Sequence, residues 1–483
     1  MPPGAPETLI SRLREICGRE HVLTHPHALA TYRSDGLLHH RQTPRAAVLP
    51  ASSAEIQEVV AACHEADVPW VARGAGTGLS GGALPVADGV LVVLARLRRI
   101  LSVDLADARV VVEPGVTNLA VSRAVAPTHF YPPDPSSQIV CSIGGNVAEN
   151  SGGAHCFKYG FTTNYVTGLD LVLSDGSLLT LERDAPGYDL LGAFVGSEGT
   201  LGVATRIALR VIPAPESTRT LLAFFDSTSD AGDAVSAIVE AGIIPGAIEM
   251  MDRLSIEAAE QATGAGYRLD AAAALLVELD GPREECLSGL ERLMELCVQA
   301  GALDVRVAQN GAERELMWKT RRAAFAAMGR IAPAYYVQDG VIPRTRLAEV
   351  LREIDRLSAE YDLRVANVFH AGDGNLHPLI CYDSGLAGDA QRAEELSGLI
   401  VKACVDAGGS ITGEHGVGVD KKAYMPSMFS EPDLDAFQRL RCAFDPRGLA
   451  NPGKVMPTPR LCGEVPGPYR EHPLERAGLA ERF

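Results

Sequence analysis

The sequence predicts an α+β chain in two parts. The first is built of short strands and glycine-rich loops, the second of strand–helix–strand units. Three observations predict this. The chain has 483 residues, more than one ordinary core accommodates. Up to the stretch "VIPAPES" (211–217), short strands alternate with turns and with loops rich in glycine and serine. Beyond it, apolar strands alternate with amphipathic helices in a ferredoxin-like order.

Glu7 to Cys17 reads as a short amphipathic helix. Arg45 to Gly76 reads as strand, helix, strand. Ser52 and Glu55 form a capping box for that helix, and Ile56, Val59, Val60 and Cys63 share one of its faces. Short strands follow at Ile100–Val103, Arg109–Glu113, Leu169–Leu173, Leu178–Glu182 and Leu201–Val211, with Asp175-Gly176 as a hairpin turn. The main boundary falls at residue 214. After it come "TLLAFFD", a helix, "PGAIEMM", "ALLVELD", a long helix around Leu287–Ala300 and "LDVRVAQ". The expected division is 1–214, then 215–420, then a C-terminal helical segment over 421–457, and an irregular proline-rich tail over 458–483.

Composition bounds the function. Hydrophobic residues make up 46% and charged residues 22%, as in a soluble globular protein. A formal net charge of −17 argues against a large nucleic-acid footprint and against anionic membrane surfaces. No apolar run approaches the roughly 20 residues needed to span a bilayer, and the N-terminus has no signal-peptide apolar region. The ten cysteines include no C-x-x-C pair, so neither a disulfide framework, a zinc knuckle nor an iron–sulfur cluster is indicated. The expected location is the cytoplasm, peripheral to the membrane only through a partner.

Two stretches raise the question of chemistry. "VPWVARGAGTGLSGGALP" (68–85) contains G-x-G-x-x-G at Gly76, Gly78 and Gly81. A Rossmann site would need a helix to start at these glycines, and the run leads instead into Leu84-Pro85. No G-K-[ST] follows, so a Walker loop is excluded. Five glycines in nine residues after a buried strand still suit close approach to a ligand, or else a plain surface turn. Two further glycine- and serine-rich segments, 129–176 and 194–210, lack helical periodicity. The second stretch is "VANVFHAGDGNLHPLICY" (365–382), where His370 and His377 bracket a turn-prone run. With Glu414 of "GGSITGEHGVGVDKK" they make a His₂Glu set, although the same local pattern suits an ordinary hairpin. Glu414 and His415 are adjacent. On an extended segment they would face different spaces, one toward a metal and one away.

The ordered motifs "RGAGTGLSGG", "PPDPSS", "GGNVAENSGG", "GSEGTLG", "HAGDGNLHP", "GEHGVG" and "NPGK" cover most of residues 45–455. Together they resemble the vanillyl-alcohol-oxidase-type FAD-binding fold. The likeness is strongest to the group of the glycolate oxidase D subunit, D-lactate dehydrogenase and D-2-hydroxyglutarate dehydrogenase. The resemblance implies a two-part FAD-binding domain and a ferredoxin-like α+β cap domain over substrate, with the C-terminal segment returning to the flavin domain. It implies FAD contacts from Arg73, Gly74, Ala75, Gly76, Thr77, Gly78, Leu79 and Ser80 in the first loop. Pro133, Asp134 and Ser137 would follow from the second. Gly144, Gly145, Asn146, Asn150, Ser151 and Gly152 come from the third, and Gly199, Val203 and Asn451 from the last motifs. Some relatives attach flavin through a histidine in the first loop. None is present here, so the FAD is expected to be non-covalent.

The resemblance also implies that His370, His377 and Glu414 hold a divalent metal, with zinc the expected ion. His415 matches the catalytic base, and Arg321 matches an arginine that clamps the substrate carboxylate. Lys319 and Arg322 suit a solvated helix face. Where the hydroxyglutarate enzymes carry a lysine and a threonine, this chain carries Val337 and Phe325. That favours a small 2-hydroxy acid such as D-lactate or glycolate over a dicarboxylate. The resulting expectation is an FAD- and metal-dependent D-2-hydroxyacid dehydrogenase that hands electrons to an external acceptor: an iron–sulfur subunit, an electron-transfer flavoprotein, a quinone or a cytochrome. Either a homodimer or a hetero-oligomer is compatible with this. Two other classes stay open on sequence alone, a metal-dependent hydrolase and a non-catalytic flavin-binding subunit of an oxidase complex.

Overall fold

The computed structural model describes residues 5–457, so the tail expected over 458–483 lies outside the described residues. The first sheet has the strand order Val22–Leu23, Ala46–Val48, Val90–Val93, Trp70–Arg73. Its last three strands are parallel, because the helix Ser53–Glu65 carries the chain back between two of them. Ser52 caps that helix, its hydroxyl accepting from Glu55 N. The Glu55 carboxylate reaches back to Ala51 N rather than to the cap residue itself. Ile56, Val59, Val60 and Cys63 are fully buried, as their spacing predicts.

The second sheet is antiparallel, in the order Ile100–Asp104, Arg109–Val112, Val203–Arg210, Val166–Val172, Leu178–Glu182. The Asp175-Gly176 hairpin packs on the helix of the first sheet. Gly176 has φ +87°, and a Cβ there would stand 2.8 Å from Ala61 Cβ. One segment differs from its expected loop. Ile143–Glu149, inside "GGNVAENSGG", is a short helix capped by Ser142. Its glycines hide the helical periodicity but permit tight packing, since a Cβ on Gly144 would stand 2.6 Å from Pro114 Cβ.

The second part opens with four strands in the order Asp304–Val307, Ser217–Phe225, Ala273–Gly281, Ala247–Asp252. Numbered along the chain this is 4-1-3-2, the ferredoxin-like order. Alternate residues feed two cores. Leu221, Ala223 and Phe225 face one set of helices, while Leu222 and Phe224 face another. Covering both faces explains why "TLLAFFD" reads as one apolar run. The sheet is then extended by Val365–His370, which pairs with Ala247–Asp252, and by Asn375–Leu376 and Gly340–Val341. Beyond the helix Glu431–Phe444 the chain returns to the first sheet. Ala450 bridges Trp70, and Asn451 N donates to Trp70 O. Among the described residues no helix is long and apolar enough to cross a membrane.

Candidate active site

A cavity of about 770 Å³ lies between the two parts. From the first part it is lined by the loop Gly74 to Leu79, by Ser137, Gly144, Gly145, Asn146 and Ser151, and by Gly199 and Val203. From the second it receives Phe325, Val337, His377, Glu414 and His415. Arg322, expected on a solvated helix face, also lines it, and pairs with Glu315. The glycines matter at the first loop. A Cβ on Gly74 would stand 2.1 Å from Ser142 Oγ, so the loop could not lie against the capped helix with any other residue there. A long trough walled by small residues and backbone fits a dinucleotide cofactor.

The remaining expected flavin contacts stand around the cavity rather than on its wall. Arg73 is buried and donates to Ser34 O. Ser80 O accepts from Val419 N and Asp420 N. Pro133 O accepts from Asn118 Nδ2. Asp134 pairs with His155 Nδ1 at 2.7 Å, and His155 in turn faces Glu278 of the second part. Asn150 ends the short helix in a left-handed conformation, and its Oδ1 accepts from Thr163 N. Gly152 leaves room for Glu414, whose Oε2 would stand 2.9 Å from a Cβ there. Asn451 donates to Gly82 O and Glu198 O, tying the returning C-terminal segment to two cavity loops.

The structure brings His370, His377 and Glu414 together. His370 ends a buried strand, and His377 follows the GDGN turn, where Gly374 has φ +79°. Glu414 Oε1 lies 3.3 Å from His370 Nε2 and 3.3 Å from His377 Nε2. Two ligand atoms bound tetrahedrally at the usual zinc distances would stand about 3.4 Å apart, so this spacing suits a shared ion. Both ring nitrogens of His377 are buried without a hydrogen bond, and an ion beside Glu414 would satisfy Nε2. His370 Nδ1 lies 2.7 Å from Glu249 Oε1, a carboxylate behind the ligand that orients its ring. Burial pushes the Glu414 carboxyl up, but His370 and His377 more than reverse this and hold it below its ordinary range.

Arg321 is buried behind the cavity wall, with Nη2 2.6 Å from Glu249 Oε2 and Nε without a hydrogen-bond partner. One expectation needs correction: Glu414 and His415 do not face different spaces. His415 stacks on His377 with centroids 4.9 Å apart, and its Nε2 is 4.0 Å from Glu414 Oε1. The reason is that the segment is not extended. The amides of Gly413, Glu414 and His415 all turn toward the Asp339 carboxylate. Burial drives the His415 imidazole down to about 4, so it stands neutral at pH 7. Sequence reading missed Glu249, Asp339 and Lys421. The signal available was an acid standing alone in an apolar stretch, as in "GAIEMM" and "YYVQDGVI".

Comparison with known proteins follows the same division. Residues 44–182 match an FAD binding domain, and residues 214–455 match the C-terminal domain of FAD linked oxidases. The chain is 50% identical over 469 residues to glycolate oxidase subunit GlcD of Escherichia coli, covering 96% of this chain and 94% of that protein. It is 37% identical to the same subunit of Bacillus subtilis, over 92% and 96% of the two chains. It is 32% identical to a D-lactate dehydrogenase of Anaerostipes hadrus, over 92% and 97%. In fold it resembles 4-ethylphenol oxidase from Gulosibacter chungangensis, at TM-score 0.79 and 19% identity over 95% of this chain and 98% of that one. It also resembles p-cresol methylhydroxylase, at TM-score 0.78 and 16% identity over 94% and 97%.

Proposed function

This chain belongs to the FAD-linked oxidases, and on that premise we propose that it oxidises a small D-2-hydroxy acid, of D-lactate or glycolate type, to the 2-oxo acid. We further propose a divalent metal, zinc by donor type, held by His370, His377 and Glu414. The observation that carries the reading is that His377 and Glu414 of this set, with a neutral His415, open onto one cavity with the glycine-rich loops, and His370 stands behind them.

Bound FAD supplies a two-electron acceptor, and a bound divalent ion supplies a Lewis acid that eases loss of the substrate hydroxyl proton. The chain's own residues do the rest. His415 takes the hydroxyl proton at its ring nitrogen. Glu249 keeps the His370 ring turned toward Glu414. Phe325 and Val337 wall the cavity beside His377 with apolar surface, Phe325 edge-on to the ring at 5.7 Å.

Electrons then leave for an external acceptor, since the sequence carries no close-set cysteines for a cluster of its own. The relatives named as subunits support a partner protein in that role. The test is anaerobic bleaching of the purified yellow protein. D-Lactate or glycolate should reduce the flavin rapidly and D-2-hydroxyglutarate slowly. Equal bleaching by the dicarboxylate would overturn the substrate class, and bleaching that survives complete metal removal would overturn the metal.

A further inference from the structure

We propose that Asp339 is the positioning residue for both Glu414 and His415, with Lys421 as its buried counter-charge; the inference rests on the metal and base roles proposed above. Three successive backbone amides meet this one carboxylate: Gly413 N at 2.9 Å, Glu414 N at 3.2 Å and His415 N at 3.0 Å. The Thr412 hydroxyl donates to it as well. Lys421 Nζ lies 3.2 Å from Asp339 Oδ2 and 3.0 Å from Asp339 O. Consecutive amides that converge on an anion force the chain to wrap around it. The wrap is what sends the Glu414 and His415 side chains into the same cavity.

The arrangement is fully enclosed. Asp339 is 0% exposed and Lys421 1%. A carboxylate buried this deeply is tolerated only with its charge offset and its lone pairs filled, and here five donors do both. Asp339 Oδ2 takes Gly413 N, His415 N and Lys421 Nζ, while Oδ1 takes Glu414 N and lies 3.5 Å from His377 Nε2. Asp339 also sits two residues beyond Val337, between the strands Ala334–Val337 and Gly340–Val341. One residue therefore anchors the base loop to the apolar wall. The residue type follows from the donors. Asparagine has one acceptor oxygen, and its NH₂ would meet N–H groups head-on.

The test uses the FAD-loaded full chain, wild type against Asp339→Asn, with Co²⁺ as the metal probe. Asp339→Asn should retain its FAD yet bind Co²⁺ at least about tenfold more weakly, the scale set by residues that support metal ligands. At saturating Co²⁺ its visible absorption band should differ from wild type, because Glu414 is displaced. A residue that only stabilised the fold would lower Tm and leave that band unchanged, which would overturn the proposal. So would a variant with wild-type affinity and band. Should Asp339→Asn not fold, Thr412→Val carries the test. It removes a single donor and should weaken Co²⁺ binding about twofold to tenfold; wild-type binding by this variant would overturn the proposal in turn. A wild-type protein that takes up no Co²⁺ would overturn the metal reading instead.

Discussion

Glu249 and His370 stand directly opposite each other on adjacent antiparallel strands, and their side chains meet at 2.7 Å between Oε1 and Nδ1. The same carboxylate faces Arg321 on its other side. The His370 ring is thus oriented by cross-strand register, so a slip of one residue would turn it to the other face. Glu249→Gln keeps the shape but removes the charge. It should lower metal affinity about 10–100-fold, measured by competition with a chelator. Stranding the Arg321 guanidinium should also cost about 3 kcal/mol in unfolding free energy.

Glu414 and His415 are neighbours with separable roles. Glu414→Gln should lose metal, because a neutral amide is a poor ligand, and excess metal should restore part of the activity. His415→Ala should keep metal and FAD but slow flavin reduction by about 10²–10⁴-fold. Anaerobic stopped-flow bleaching resolves the two. The opposite pattern, metal lost on His415→Ala and kept on Glu414→Gln, would show the roles to be exchanged.

The apolar wall sets substrate size. Val337→Lys combined with Phe325→Thr should raise kcat/KM for D-2-hydroxyglutarate and lower it for D-lactate. Exchanging a hydrophobic contact for a polar one shifts discrimination by roughly tenfold or more. Substrate ratios that stay put in the double variant would place specificity elsewhere in the cavity.

Asp252 provides a pH dependence away from the metal ligands. It is buried, caps the helix Arg253–Thr263 through Ser255 N, and accepts from Asn367 N. Burial pushes it up to about 6 against these hydrogen bonds. The folded state therefore holds a proton that the unfolded chain, with an ordinary aspartate near 3.8, has released. Folding is favoured by this group below about pH 4, and the advantage is lost as pH rises through about 6. Two units correspond to roughly 3 kcal/mol at most. Thermal melts from pH 4 to pH 7 should show this fall in wild type and a flatter profile for Asp252→Asn. Parallel profiles would exclude the assignment.

Much of the fold was legible because periodicity reports burial. The face Ile56, Val59, Val60, Cys63 and the doubly covered strand Ser217–Phe225 follow from spacing alone. The helix Ile143–Glu149 did not, since its glycines erase the apolar pattern while serving close packing. At the site, His370, His377 and Glu414 make a His₂Glu set, but it was the resemblance to a known family that singled them out from an ordinary hairpin. Asp339 could not, since its role depends on amides 74 to 76 positions away in the chain. The partner of Arg321 was illegible for a related reason: a sequence shows that a cation is present but not which anion stands beside it, here Glu249.

The bridge from Ala450 to Trp70 spans most of the chain, and Asn451 fastens the glycine loop from the same segment. On the ribosome, then, the opening sheet is synthesised early but must wait for nearly the whole polypeptide before its last edge is covered. Trp70, fully enclosed in the finished molecule, stays uncovered along that edge throughout. Such a long-range closure is slow to form and leaves an open strand edge meanwhile. A truncation that removes the chain from Ala450 onward therefore strikes the sheet and glycine loop formed by the first hundred residues.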